Sequence, residues 1–335
     1  MEPRGILFTP KRQQAIKQSP FTEKRRADEK KAQRHPETRR FMFLRADHER
    51  RNLYDGPVNP ERLETKDWVG VTRYVRETAV KMGADLVGIA PLDEFDYVRG
   101  SNPPQGHICG IAFAIHMDFK EMKRLGPLAQ TEVHRVYYRL SDLSVRLAQF
   151  IRSFGYHAVG HPNEGDILFI PIAWKAGLGE LGRHGSLITK EFGPSVRLGV
   201  VTTEMPLVTE PAPVDYGFDD LCLRCNVCTN FCPGNAIVPK KKEIFGIVRW
   251  HVDTPACRPF FEDYEGCKVC LTVCPINAQT ESSRLYKNLM KGLMRRKIPI
   301  RRLIDEWRVE GYREAEAFGE GWGDPAGEGQ TGGID

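Results

Sequence analysis

The sequence predicts an α+β protein, a core of alternating strands and helices that carries a compact cysteine-rich module. Three observations predict it. Between residues 68 and 202, apolar residues recur first at helical spacing and then in short continuous runs bounded by Gly or Pro, as in an α/β or α+β core, and α+β is the expectation. Eight of the nine cysteines fall between Cys222 and Cys274. Charge is also unevenly spread: residues 1–51 hold fifteen Lys or Arg against seven Asp or Glu, so a chain of net charge +5 has a basic arm and a slightly acidic body.

Residues 1–60, with prolines at 3, 10, 20, 36, 57 and 60, read as an extended basic arm strapped on by Phe41, Phe43, Leu53 and Tyr54. No helix-turn-helix, zinc-finger or RNP pattern accompanies the charge, so no nucleic acid partner is expected. Trp68 to Met82 has apolar residues at helical spacing and stops at Gly83. Ala84–Ala90 and Ile108–Ile115 read as buried strands, the second holding Cys109 as a packed, inert thiol. Glu132 to Phe154 is the longest helical pattern and ends at Gly155. A short strand at Tyr156–Val159, a turn at 161–165, an apolar run at Ile167–Ala173 and a strand at Val196–Thr202 complete a core spanning 61–214. His107, His116 and His161 have no partners at metal-ligand spacing and read as structural. No apolar run is long enough to span a membrane.

The module, 215–283, opens with Cys222, Cys225, Cys228, Cys232 and Pro233, the C-x2-C-x2-C-x3-C-P run that binds 4Fe-4S clusters. Cys267, Cys270, Cys274 and Pro275 repeat it in shortened form, and Cys257 stands ten positions before Cys267. Eight thiolates serve two 4Fe-4S clusters, and the x3 step sends the fourth cysteine of a run to the other cluster. Cys222, Cys225, Cys228 and Cys274 are therefore assigned to cluster 1, and Cys232, Cys257, Cys267 and Cys270 to cluster 2. Zinc sites use four ligands in two pairs and have no use for the third cysteine at x2. Disulfides between neighbours at x2 would be strained, and thiols in this number fit a reducing, cytoplasmic setting. Arg39-Arg40 lacks the apolar stretch that an export signal places after twin arginines. Residues 284–335 read as a basic helical stretch interrupted by Pro299, followed by a glycine-rich disordered tail.

AGLGELGRHG at 176–185 contains a literal GxGxxG, but the segment before its first glycine is not a strand, and Pro171 breaks the apolar run. A dinucleotide fold is rejected on that context. The glycines allow close approach of a bulky cofactor or of another element.

AGLGELGRHGSLI at 176–188, FGPSVRL at 192–198, FIRSFGY at 150–156 and the paired cysteine motifs, in this order, resemble the cobalamin-dependent reductive dehalogenases over roughly residues 65–280. More distantly the chain is similar to epoxyqueuosine reductase. The resemblance implies a nitroreductase-like cobalamin-binding core, a base-off corrinoid without a histidine lower ligand, and an inserted or appended ferredoxin-like module passing electrons to cobalt. The absence of a D-x-H-x-x-G motif agrees. It also implies corrin contacts at Gly177, Gly179, Gly182, Arg183, His184 and Gly185, and a tyrosine proton donor with a basic partner acting on an organohalide substrate. Tyr137 fits the donor, with Tyr138 as the alternative, Arg197 as the cation and Asn163 in the pocket. Tyr137 would serve equally as a core tyrosine, and Arg183 and His184 as ordinary loop residues.

Cys257 stands closer to Cys267 than is usual in that family. No fused reductase domain is recognised, so a separate low-potential electron donor is expected. Two other functions stay open: an epoxyqueuosine-type tRNA-modifying enzyme, against which the missing helical-repeat region counts, and a two-cluster electron-transfer protein without corrin.

Overall fold

The computed structural model describes residues 36–98, 100–122, 127–162, 166–210, 213–244, 247–263, 266–274 and 276–277. Asn163 and the 284–335 stretch lie outside these described residues. Four strands, β1 (Leu86–Pro91), β2 (Cys109–His116), β3 (Ala158–His161) and β6 (Val196–Thr203), form an antiparallel sheet in the order β1-β2-β6-β3, while β4 (Glu180–Leu181) pairs with β5 (Leu187–Ile188) apart from it and a short helix, α3 (Phe119–Met122), follows β2. The class is therefore α+β: an antiparallel sheet with its helices packed on the faces.

Alternation along β2 sorts the two faces. Ile111, Phe113 and Ile115 pack with α2 (Trp68–Lys81) and α4 (Pro127–Arg152) through Val75, Ala79, Val136, Leu140 and Leu147. Ala112 and Ala114 face α5 (Phe169–Lys175) through Ile172 and Ala173. Both faces of β2 are covered, which is why its sequence reads as an unbroken apolar run. Cys109 is 3% exposed with its thiol against the Leu207 carbonyl, and burial raises its pKa. The Ile167–Ala173 run turns out to be mostly helix α5.

The extended arm needs correcting. Pro36–Arg50 is a helix, α1, lying along α4. Thr38 Oγ1 meets Thr131 Oγ1 at 2.8 Å and His48 Nδ1 meets Ser141 Oγ at 2.7 Å, both 93 residues apart, so the two helices run parallel. Sequence periodicity missed α1 because it is so polar that Thr38 is its single buried residue; it is held by these polar contacts and ring stacking, not by an apolar stripe. The chain then crosses the open edge of β3, where Gly160 N–H donates to the Tyr54 carbonyl at 2.9 Å.

Of the histidines read as structural, His116 pairs with Asp85 Oδ2 at 2.9 Å, while His107 and His161 join His157 in one network beside that edge. His157 Nε2 meets Asp55 Oδ1 at 3.0 Å, His107 Nε2 meets His157 Nδ1 at 2.8 Å, and Thr202 Oγ1 lies between His107 Nδ1 at 2.8 Å and His161 Nε2 at 3.0 Å. The Asp55 carboxylate takes the proton of His157 Nε2, which fixes the tautomers down the line and makes every donor point towards Asp55. Burial pushes His161 down to about 4, and burial with the neighbouring His157 and His161 pushes His107 down to about 4. Unfolded, each would take up a proton near 6.5. The unfolded chain thus binds more protons between those values, so stability is full above about pH 6.5 and falls as pH drops towards 4, by up to about 3 kcal/mol for the well-buried His161 and by less for the more exposed His107. Denaturant melts at pH 7.5 and 5 should show this loss, and His107→Gln should flatten it; equal slopes in both proteins would refute the assignment.

Candidate functional site

The cysteine module is built from short helices, α6 (Phe218–Arg224), α7 (Val227–Phe231), α8 (Thr254–Asp263) and α9 (Val269–Thr272), with a small hairpin β7 (Lys242–Ile244) and β8 (Ile247–Arg249). Cys222, Cys225, Cys228 and Cys274 line one cavity together with His184, Leu221 and Ile276. Chain separation between Cys228 and Cys274 is bridged by α9 packing on α7. The other four thiols form a second neighbourhood. Cys257 is an electrostatic neighbour of Cys232, Cys267 of both, and Cys270 of all three and also of Cys228, where the two neighbourhoods adjoin. Asp253 N–H donates to the Ala236 carbonyl at 2.8 Å, which ties the start of α8, and with it Cys257, to the loop after Cys232. All nine cysteines are free thiols.

Burial pushes the thiols of Cys228 and Cys274 up to about 12 and Cys267 up to about 11, and raises Cys270 well above the ordinary thiol value. A thiol so placed ionises only when a cation compensates its charge, so binding iron here must expel protons.

Residues 176–188 form the surface of the core on which this module docks. The buried Glu180 carboxylate accepts from the Tyr216, Phe218 and Asp219 N–H groups at the start of α6, two turns before Cys225. Arg183, 1% exposed, donates from Nε to the Cys222 carbonyl at 2.9 Å and from Nη1 to the Pro239 carbonyl, and its guanidinium lies 4.3 Å from the Trp250 ring centre. Trp250 in turn donates to Asp219 Oδ1 at 2.8 Å. Gly185 has φ +77°, and a Cβ there would lie 2.9 Å from Val252 Cγ2 of the module. A Cβ on Gly182 would lie 2.8 Å from His184 Cε1, and one on Gly179 would lie 2.3 Å from the Ile188 carbonyl oxygen. Gly177, at φ +72°, faces Val214 and Glu210. Elements of the chain itself fill the space that each of these glycines leaves.

Arg197 and Tyr137 come together from different elements. Arg197 pairs with Ile115 in the sheet register, so it points to the α4 face. Its guanidinium lies 5.1 Å from the Tyr137 ring centre, and that of Arg45 on α1 lies 5.4 Å from the same ring. Arg197 Nε is buried with no hydrogen-bond partner among the described residues. Tyr138 turns the other way, stacking on Phe41 and His48 of α1 at 6.1 and 5.8 Å. The approach of Arg45 to this ring has no signal in the sequence, because it depends on α1 being a helix.

Both members of the pair sit on elements that reach the module. Lys268 Nζ donates to Gln130 Oε1 at 3.2 Å, about two turns before Tyr137 on α4. Gly193, just before β6, is so close to Asn277 that a Cβ would lie 2.7 Å from Asn277 Oδ1.

The family model for the 4Fe-4S dicluster domain matches residues 221–278. The tetrachloroethene reductive dehalogenase of Sulfurospirillum multivorans is 30% identical over 272 residues, 65% of this chain and 53% of that protein. The epoxyqueuosine reductase of Lactococcus garvieae (strain Lg2) is 27% identical over 253 residues, 61% of this chain and 70% of that protein. Among solved structures, the catabolic reductive dehalogenase NpRdhA superposes with a TM-score of 0.73 over 94% of this chain and 46% of its own, at 21% identity, a likeness of fold. The chain spans about half the length of the dehalogenases it matches. Among the described residues no helix is long and apolar enough to cross a membrane. The chain thus resembles the reductive dehalogenases in sequence and in fold and, at greater distance, epoxyqueuosine reductase in sequence; these relatives are oxidoreductases.

Proposed function

We propose that this chain is a cobalamin- and iron–sulfur-dependent reductase that removes halide from an organic substrate. The observation that carries the reading is the convergence of Arg197 on Tyr137, next to a core surface that docks a module with two neighbourhoods of four thiols. Cys222, Cys225, Cys228 and Cys274 would hold one 4Fe-4S cluster in the cavity they line, and Cys232, Cys257, Cys267 and Cys270 would hold a second. The unpartnered Arg197 Nε beside Tyr137 fits a polar group supplied from outside the described chain.

Cobalamin, when bound base-off in a nitroreductase-like core, supplies a strongly reducing cobalt for carbon–halogen cleavage. Replacing halogen by hydrogen takes two electrons and one proton and releases halide. Tyr137 holds the proton at its hydroxyl. The guanidiniums of Arg197 and Arg45 stabilise the phenolate left behind, and Asn163 orients the substrate. Of the 176–188 stretch, Arg183 and Glu180 hold the module against the core, and because the side-chain space at Gly179, Gly182 and Gly185 is taken by the chain's own atoms, the stretch would meet the corrin through backbone alone. Electrons come from a separate low-potential donor in a reducing, cytoplasmic setting, a reading supported by eight cysteines at cluster spacing, which such a setting preserves.

Anaerobic reconstitution tests the proposal. Metal analysis should find about eight irons and about one cobalt per chain, with the spectrum of a base-off corrin. Iron without cobalt, after cobalamin has been offered, would leave an electron-transfer protein in its place.

A further inference from the structure

His184 has one ring nitrogen accounted for and one that is not. Ser186 N–H donates to its Nδ1 at 3.2 Å, so Nδ1 presents its lone pair and the proton of the neutral ring sits on Nε2. Nε2 is buried and has no partner among the described residues. An orphaned buried donor in an otherwise well-bonded segment calls for an acceptor the protein does not itself supply.

The ring's surroundings say which acceptor. His184 lines the cavity of Cys222, Cys225, Cys228 and Cys274, where the remaining lining side chains are those of Leu221 and Ile276. Its imidazole is the one nitrogen-bearing side chain among the lining residues. The position is built into the backbone, since a side chain on Gly182 would collide with the ring.

We propose that His184 donates its Nε2 hydrogen to a sulfur of the cluster held by Cys222, Cys225, Cys228 and Cys274, and that this bond raises the reduction potential of that cluster above what its cysteines alone would give. The proposal rests on the iron–sulfur reading of the module. Reduction adds negative charge to the cluster, and a hydrogen-bond donor aimed at its sulfur stabilises the more negative state. His184 belongs to the core and not to the module, so the donor acts on the cluster that docks against the core.

Redox titration of the reconstituted full chain, followed by electron paramagnetic resonance, tests this. His184→Phe keeps an aromatic ring and loses the donor. It should retain full iron while one cluster becomes harder to reduce, its reduced fraction at the wild-type midpoint falling severalfold; the other cluster should titrate unchanged. His184→Gln, which keeps an N–H, should recover part of the shift. Unchanged potentials in a fully loaded His184→Phe protein overturn the proposal. Should that variant fail to fold, the wild type decides. Its reduced cluster should couple to a histidine nitrogen and to a proton that exchanges in D2O, and absence of both couplings overturns the proposal equally. Reconstitution that yields no iron–sulfur signal in any variant fails the cluster reading itself, and iron analysis tells the two failures apart.

Discussion

Tyr137→Phe should keep its iron and its corrin and lose turnover by about 10²–10⁴-fold, the usual contribution of a positioned proton donor. The phenyl ring fills the same space, so packing against the sheet survives, and Arg197 and Arg45 keep an aromatic face to lie over. What disappears is the hydroxyl. Tyr138→Phe is the matched control: its ring stacks on Phe41 and His48 of α1, away from Arg197, and turnover should stay within about twofold. Steady-state rates on a halogenated substrate with a chemical reductant, normalised to bound cobalt, read both variants. A Tyr138→Phe protein that is dead beside an active Tyr137→Phe protein would reverse the assignment of helix faces.

Cys257→Ala should halve the iron, from about eight to about four per chain, and abolish one cluster signal while the other persists. Cys257 sits among Cys232, Cys267 and Cys270, the grouping expected of a fourth ligand to that cluster. The loss should also destabilise α8 and α9, because Cys232, Cys267 and Cys270 then face one another without iron. Full iron content with two intact signals would make Cys257 a bystander thiol.

The cysteines were the most legible part of the chain, because cluster ligands are set by covalent spacing that a sequence displays directly. Cys274 lining a cavity with Cys222, Cys225 and Cys228 is what the x3 step implies. The strands were legible too, since β2 is buried on both faces and so has no polar alternation to confuse it. Tyr137 and Tyr138 could not be separated in sequence. They are adjacent on one helix, and the choice between them is made by α1, whose polar composition hides its helical character. The glycines of 176–185 were ambiguous for another reason. A glycine records that something comes close without recording what, and at Gly182 and Gly185 the close neighbours are His184 and Val252. His184 was expected only as a corrin contact through the resemblance, because the unpaired nitrogen that turns it towards the cysteine cavity is visible only in three dimensions.

The grip of Arg183 and Glu180 on the module has a consequence for how the protein matures. Both side chains hold backbone, the Cys222 carbonyl and the first N–H groups of α6, and neither touches a sulfur. Their hold therefore precedes the metal. A newly made chain can present Cys222 already seated while Cys225, one turn on and less buried, is still open to solvent. Iron delivery then meets an ordered first ligand and recruits the rest, an order of assembly that brief alkylation of iron-free protein would display as slower labelling of Cys222 than of Cys225.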